Sequence, residues 1–297
     1  MSSKRFVVTV TLGLLGLVVA LVWLSEGSPG GARAADVSAD LAQITVCPAG
    51  LPDCDDEVRQ RIDATQWTTM TSGTTHLLLD VWGNSGGDVF AVGTSGTILH
   101  YDGTAWSAMT SGTTERLNGV WGSSGGDVFA VGDGGIILHF DGAGWSAMDS
   151  GTTDELVEVW GSSGNDVFAV GGFGTIVHYD GAVWSTMSSG TGEWLIDVWG
   201  SASTDVFAVG FQGTILHYDG TAWSAMSNPG GELTGVWGSS GSDVFVVGWD
   251  GTILRYDGTS WSPMSSGTTE SLWDVWGNTG SDVFAVGTEG TILHYGG

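Results

Sequence analysis

Tryptophan recurs through this chain with a beat of about 39 residues. One register is Trp67, Trp106, Trp145, Trp184, Trp223 and Trp261. A second, inside Val-Trp-Gly, is Trp82, Trp121, Trp160, Trp199, Trp237 and Trp276. Each unit holds four short apolar or β-branched runs. In one unit they are Leu117-Asn-Gly-Val-Trp-Gly, Asp127-Val-Phe-Ala-Val-Gly, Gly135-Ile-Ile-Leu-His-Phe and Trp145-Ser-Ala-Met. The runs are strand-sized, and the Gly, Ser, Asn and Asp clusters between them are turn chemistry. The glycines leave no room for the two helices per repeat of an ankyrin or tetratricopeptide array. Four strands in such a period make one propeller blade.

The chain enters the repeats at Trp67-Thr-Thr-Met70, which matches a fourth strand. It leaves them at Gly290-Thr-Ile-Leu-His-Tyr295, which matches a third. That offset predicts an all-β fold: a six-bladed β-propeller of four-stranded antiparallel blades, closed when the N-terminal strand joins the last blade. The propeller occupies residues 67–297. Phe90, Phe129, Phe168, Phe207, Phe245 and Phe284 recur at one blade position, as inter-blade packing residues would.

What precedes the repeats reads as an address. Lys4-Arg5, an apolar run from Phe6 to Leu24, and Ala32-Arg33-Ala34-Ala35 form a secretory signal over residues 1–34, with cleavage after Ala34. The run is also long enough to span a bilayer, so a retained anchor is the alternative. Either way the protein is expected outside the cytoplasm: extracellular, on the cell surface or in the periplasm. Residues 35–66 form a linker. There Cys47 and Cys54 are expected to pair in an oxidising compartment, and Asp55 to Ile62 suits one or two helical turns.

Composition then excludes partners. The chain carries 7 Lys+Arg against 33 Asp+Glu, a formal charge of −26, so nucleic acid would be repelled. Two cysteines are too few for a disulfide scaffold or a Cys-based zinc site. No membrane contact beyond the possible anchor is expected, and the chain should be a monomer.

The segment Asp166-Val-Phe-Ala-Val-Gly-Gly-Phe-Gly-Thr-Ile-Val-His-Tyr-Asp-Gly-Ala-Val-Trp-Ser-Thr-Met187 resembles a kelch repeat, with Gly171-Gly172 followed by Tyr179 and Trp184. The turn from Tyr101 to Trp106, Tyr-Asp-Gly-x-x-Trp, is similar to the Asp-box hairpin of secreted bacterial propellers. These include neuraminidase-type repeats and photosystem II assembly-factor-like proteins. The resemblance covers Trp67 to Tyr295 and implies a propeller, but no reaction.

Three sets of residues are candidates for chemistry. His100, His139, His178, His217 and His294 share one third-strand position, with Arg255 as the sixth. Third strands lie too far from one another for a common metal, so structural hydrogen bonding is expected. Two residues before each Val-Trp-Gly tryptophan stand Asp80, Gly119, Glu158, Asp197, Gly235 and Asp274. On innermost strands the four carboxylates either hold a cation such as calcium, or face solvent and cap backbone donors in the channel mouth. No other cofactor is expected.

The third set lies where repeats differ. The second-to-third-strand loops and fourth-to-first-strand connections add Phe173, Trp194, Phe211, Trp249 and Trp273, on one face and biased to consecutive blades. Aromatics rimmed by acids suit a glycan, a cationic group or a protein; alternatively each ring folds over its own loop. The expected function is a non-catalytic binding or interaction propeller with no catalytic residues. A glycan-active enzyme, glycosidase or lyase, is the first alternative, because two carboxylates suffice for glycoside hydrolysis. A sialidase-like arginine cluster is not available, since the repeats carry only Arg116 and Arg255, three to four blades apart. A passive acidic surface module is the second alternative.

Overall fold

The computed structural model describes residues 6–13, 16–23, 68–228 and 230–297. Two units are present, Met1–Met70 and Thr71–Gly297. In the first, Phe6–Gly13 and Gly16–Trp23 pair antiparallel from Phe6↔Trp23 to Gly13↔Gly16. Among the described residues no helix is long and apolar enough to cross a membrane. Ala34, Cys47, Cys54 and Trp67 lie outside the described residues, as do the expected signal cleavage and the disulfide.

The second unit is six antiparallel sheets in chain order, called blades 1 to 6. Blade 2 shows the plan: Leu117–Ser124, Asp127–Gly132, Ile137–Phe140 and Trp145–Met148, each paired with the next. Blades 1 to 5 have four strands. Blade 6 has three, Leu272–Thr279, Asp282–Gly287 and Ile292–Tyr295, and Thr68–Met70 lies outside any strand. The expected four-strand count therefore holds in five blades.

Local chemistry sets the strand limits. At the end of the second strand the extended backbone of Gly132 runs so close to the Arg116 carbonyl that a Cβ would collide with it and only glycine fits, and the chain then turns through Asp133–Gly135. Between third and fourth strands, Asp141 Oδ1 accepts the Ala143 and Gly144 amides and holds the hairpin. These two amides keep the Asp141 carboxyl below its usual range. The same turn recurs at Asp102, Asp180, Asp219 and Asp257, and it is the part of the sequence that resembles an Asp-box.

The apolar core lies between blades. At the boundary of blades 3 and 4, Phe168, Val170 and Ile176 pack on Leu195, Val198, Val206, Ala208, Leu216 and Trp223. The Trp160 ring covers Gly200, where a Cβ would lie 2.5 Å from it. Trp82 on Gly122, Trp121 on Gly161, Trp199 on Gly238 and Trp237 on Gly277 repeat the contact. Fourth-strand indoles reach the methionine of the preceding blade: Trp145 to Met109, Trp184 to Met148 and Trp261 to Met226, each Nε1–H donating to Sδ at 3.4 Å. The Phe168→Ala variant is expected to lose about 4 kcal/mol. Thermal melting should then begin about 10 °C lower, and a change below 3 °C would mean the site collapses around the void.

The third-strand histidines act as structural donors. His178 Nε2 lies 2.7 Å from Asp166 Oδ1, and its ring stacks on Phe168 at 4.3 Å. His100, His139, His217 and His294 have the same carboxylate partner one strand inward, and Arg255 reaches Asp243 at 2.8 Å.

The two ends of the array present faces whose counterparts are buried elsewhere. On blade 6, Trp276 is 60% exposed and Ile292 70%, with Phe284 and Val286 also in solvent. On blade 1, Val81 is 61% exposed, and among the described residues no indole covers Gly83 and no atom lies within 4 Å of a Cβ built at Gly86, although the equivalent Gly125 meets the Asp88 carboxylate.

Candidate functional site

The loop face is organised by backbone hydrogen bonds. Each second-to-third-strand connection is a three-residue turn, here Gly172–Gly174, Phe211–Gly213 and Trp249–Gly251. Its first amide donates to the residue that enters the blade. Gly172 N–H bonds Glu155 O at 2.9 Å, Phe211 bonds Trp194 O at 2.9 Å, and Trp249 bonds Glu232 O at 3.0 Å. Both connection sets therefore share one face.

On that face Phe173 and Trp194 have ring centroids 6.2 Å apart at 56°, and Phe211 and Trp249 6.2 Å apart at 62°. The Trp194–Phe211 backbone bond links the two pairs. One row, Phe173, Trp194, Phe211, Trp249, thus crosses blades 3, 4 and 5. The rings reach over blade boundaries and not over their own loops. The turn Trp249–Gly251 also packs on the strand Leu272–Thr279. Trp273, unpaired where the register skips from Leu272 to Asp274, stands half-exposed on that strand.

Phe173 is 68% exposed and has φ 56. A bulky side chain in left-handed backbone costs about 1 kcal/mol or more, and here that cost brings no burial. Glycine holds the equivalent position, Gly134, in blade 2. The neighbouring carboxylates are Glu193, beside Trp194, and Glu232. Glu232 Oε2 accepts the Gln212 amide at 2.7 Å, which fixes the acid between Phe211 and Trp249. Sequence reading missed Glu232, because nothing in its spacing separates it from other loop acids.

The innermost-strand acids form a second cluster. Each first strand is an edge whose valine amide has no strand partner, and four carboxylates serve all six. Asp80 accepts Val81 and Val120; Glu158 accepts Val159; Asp197 accepts Val198 and Val236; Asp274 accepts Val275. The distances are 2.7 Å, or 2.9 Å for Glu158. Glycine stands in the two blades that receive the preceding blade's acid, and there the following blade comes close: a Cβ at Gly119 would meet Glu158 Oε1 at 2.9 Å, and one at Gly235 the Asp274 Cα at 3.0 Å. In those two blades the preceding residue is polar and also crosses, Asn118 Nδ2 donating to Leu156 O and Thr234 Oγ1 to Leu272 O.

The four acids feel one another's charge. Desolvation and then the Asp274 charge push Asp197 up to about 8, and Glu158 is held well above its ordinary range by burial and by Asp80 and Asp197. Asp80 and Asp274 are raised by burial too. The donor-capping reading of these residues thus has an explicit partner at every position. Among the described residues no three His, Cys, Asp or Glu are grouped to hold a metal ion. Arg255 is committed to Asp243, to the Tyr295 hydroxyl and to the face of Phe245, while Arg116 lies ahead of the first strand of blade 2.

The chain matches no known protein family and no curated protein. Solved structures do resemble it. The extracellular domain of a hybrid two-component system, BT3049, from B. thetaiotaomicron aligns with TM-score 0.60 and 9% identity. The alignment covers 75% of this chain and 34% of that one. YCF48 bound to D1 peptide aligns with TM-score 0.41 and 17% identity over 75% of this chain and 94% of that one. YCF48 from Cyanidioschyzon merolae gives 0.41 and 15% over 77% and 98%. The fold is a β-propeller repeat fold.

Proposed function

We propose that the chain is an exported, non-catalytic binding propeller whose ligand face is the row Phe173, Trp194, Phe211 and Trp249, extended by Trp273. The observation that carries this reading is the row itself: rings at positions the repeat does not need, one held in costly backbone geometry. Glycans and protein segments both suit such a surface. Export rests on Lys4-Arg5, the apolar run and Ala32-Arg33-Ala34, and Cys47–Cys54 would pair on the far side of the membrane.

A glycan array and a protein-binding screen, each with a parallel hydrolysis assay, test the function. Binding without turnover is expected. The double variant Phe211→Ala/Trp249→Ala should lose it while melting shifts by less than about 3 °C. Turnover, or binding that survives the double variant, would overturn the reading.

We also propose that residues 67–70 complete blade 6. By the register of blade 1, Tyr101↔Trp106 and Ile98↔Met109, Trp67 would lie opposite Tyr295 and Met70 opposite Ile292. A cavity of about 160 Å³ lined by Met264, Leu293 and Tyr295 supports the pairing. It lies where blades 3, 4 and 5 seat Trp184, Trp223 and Trp261. Closure would also carry Trp276 onto Gly83 and Asp282 onto Gly86, the two glycines whose usual cover is absent.

A further inference from the structure

Resting on the binding-face reading above, we infer that the partner is a protein segment bearing arginine side chains, with guanidinium groups seated in the Phe173/Trp194 and Phe211/Trp249 notches. The second notch joins its ring pair to a carboxylate held in place, and the first has an acid adjacent in sequence. Glu193 is bonded in sequence to Trp194, and the Glu155 carbonyl holds the turn that carries Phe173. Glu232 is tied to the second notch twice, through its carboxylate to Gln212 and through its carbonyl to Trp249. Asp250 follows Trp249 with φ 54 and is exposed.

No hydrogen bond or ion pair to a base engages these acids among the described residues. Among the described residues the only arginines are Arg116 and Arg255, and there is no lysine. Arg255 is already held elsewhere, and the manner of its holding is instructive. Its Cζ stands 5.1 Å from the Phe245 centroid and 5.7 Å from that of Tyr295, while Nε donates to Asp243 at 2.8 Å. Two aromatic faces and one carboxylate therefore already bind a guanidinium in this molecule, and the Phe211/Trp249 notch with Glu232 offers that set unfilled. A neutral sugar would stack on the rings but leave the carboxylates uncompensated, whereas a cation uses both. The net charge of −26 would draw a basic partner in and make association sensitive to salt.

The test uses the full chain and two peptides: one alternating arginine with serine, and its counterpart with citrulline, which keeps the shape and removes the charge. Tryptophan fluorescence and calorimetry read the affinity. The arginine peptide should bind about tenfold or more tightly than the citrulline peptide. Glu232→Gln should weaken it about fivefold, since the amide still accepts the Gln212 bond but carries no charge. Phe211→Ala/Trp249→Ala should remove binding, and Glu115→Gln, on blade 2, should leave it unchanged. Equal affinity for both peptides, no binding, or loss no greater in the row variants than in Glu115→Gln would overturn the inference. A neutral oligosaccharide bound in a Trp249-dependent way would overturn it too, while leaving the binding face in place.

Discussion

Deleting residues 67–70 is expected to lower the melting temperature by about 10–15 °C. Burial of an indole and a methionine side chain, as in the other blades, contributes about 5 kcal/mol, and in a domain of this size each kcal/mol moves the midpoint by about 2–4 °C. The deleted protein should also self-associate, because Trp276, Phe284, Val286 and Ile292 would stay uncovered on blade 6. A cysteine pair separates the possibilities. With Cys47 and Cys54 replaced by serine, Thr68→Cys/His294→Cys should form a crosslink within one chain, read by mass spectrometry of non-reduced peptides. A crosslink between chains would show that the strand is exchanged, and no crosslink with an unchanged melt would remove the closure altogether.

The second large effect is a change of sign with pH at Asp197. Its folded pKa is raised from 3.8 to about 8, so the folded state binds the proton more tightly than the unfolded one. Stability from this group is therefore complete below about pH 4 and is lost as pH rises toward 8. A shift of that size would be worth about 5 kcal/mol at pH 8 in a dry interior, and the partial solvent exposure of this side chain reduces it to about 2–3 kcal/mol. Asp197→Asn escapes that loss but has a single acceptor for the Val198 and Val236 amides, which costs about 1 kcal/mol. The variant should thus melt about 3–5 °C higher than the parent at pH 8, and about 3 °C lower at pH 4. Curves that run parallel across this range would show that Asp197 ionises freely and that its carboxylate is no more than a surface charge.

Much of this architecture was legible because the repeat imposes the same demand many times. The four-strand count in five blades, the packing of Phe90, Phe129, Phe168, Phe207 and Phe245 between blades, and the structural role of His100 and its equivalents all follow from period and alternation. The acids at Asp80, Glu158, Asp197 and Asp274 were legible as like charges on innermost strands and as candidate donor caps, but which amides each would cap, and that two of them cap the next blade as well, was not. That detail depends on a bulge that leaves Asn118 and Thr234 out of register beside the valine amides of Val120 and Val236. The five candidate ligand aromatics stood out as departures from the repeat. Their pairing across blade boundaries did not, because it follows from turn geometry at Phe173 and from a backbone bond between Trp194 and Phe211. Glu232 had no signature at all.

The crossing of carboxylates into glycine-bearing blades has a consequence for ancestry. Asp80 reaches into blade 2 to accept an amide as Asp197 does into blade 5, and Asn118 and Thr234 then reach onward to blades 3 and 6 as donors to a leucine carbonyl. The inner lining therefore has a grammar of three, spoken twice. A half-length chain of three blades is the shortest piece that contains the whole sentence, and a doubled gene of that length would write this molecule.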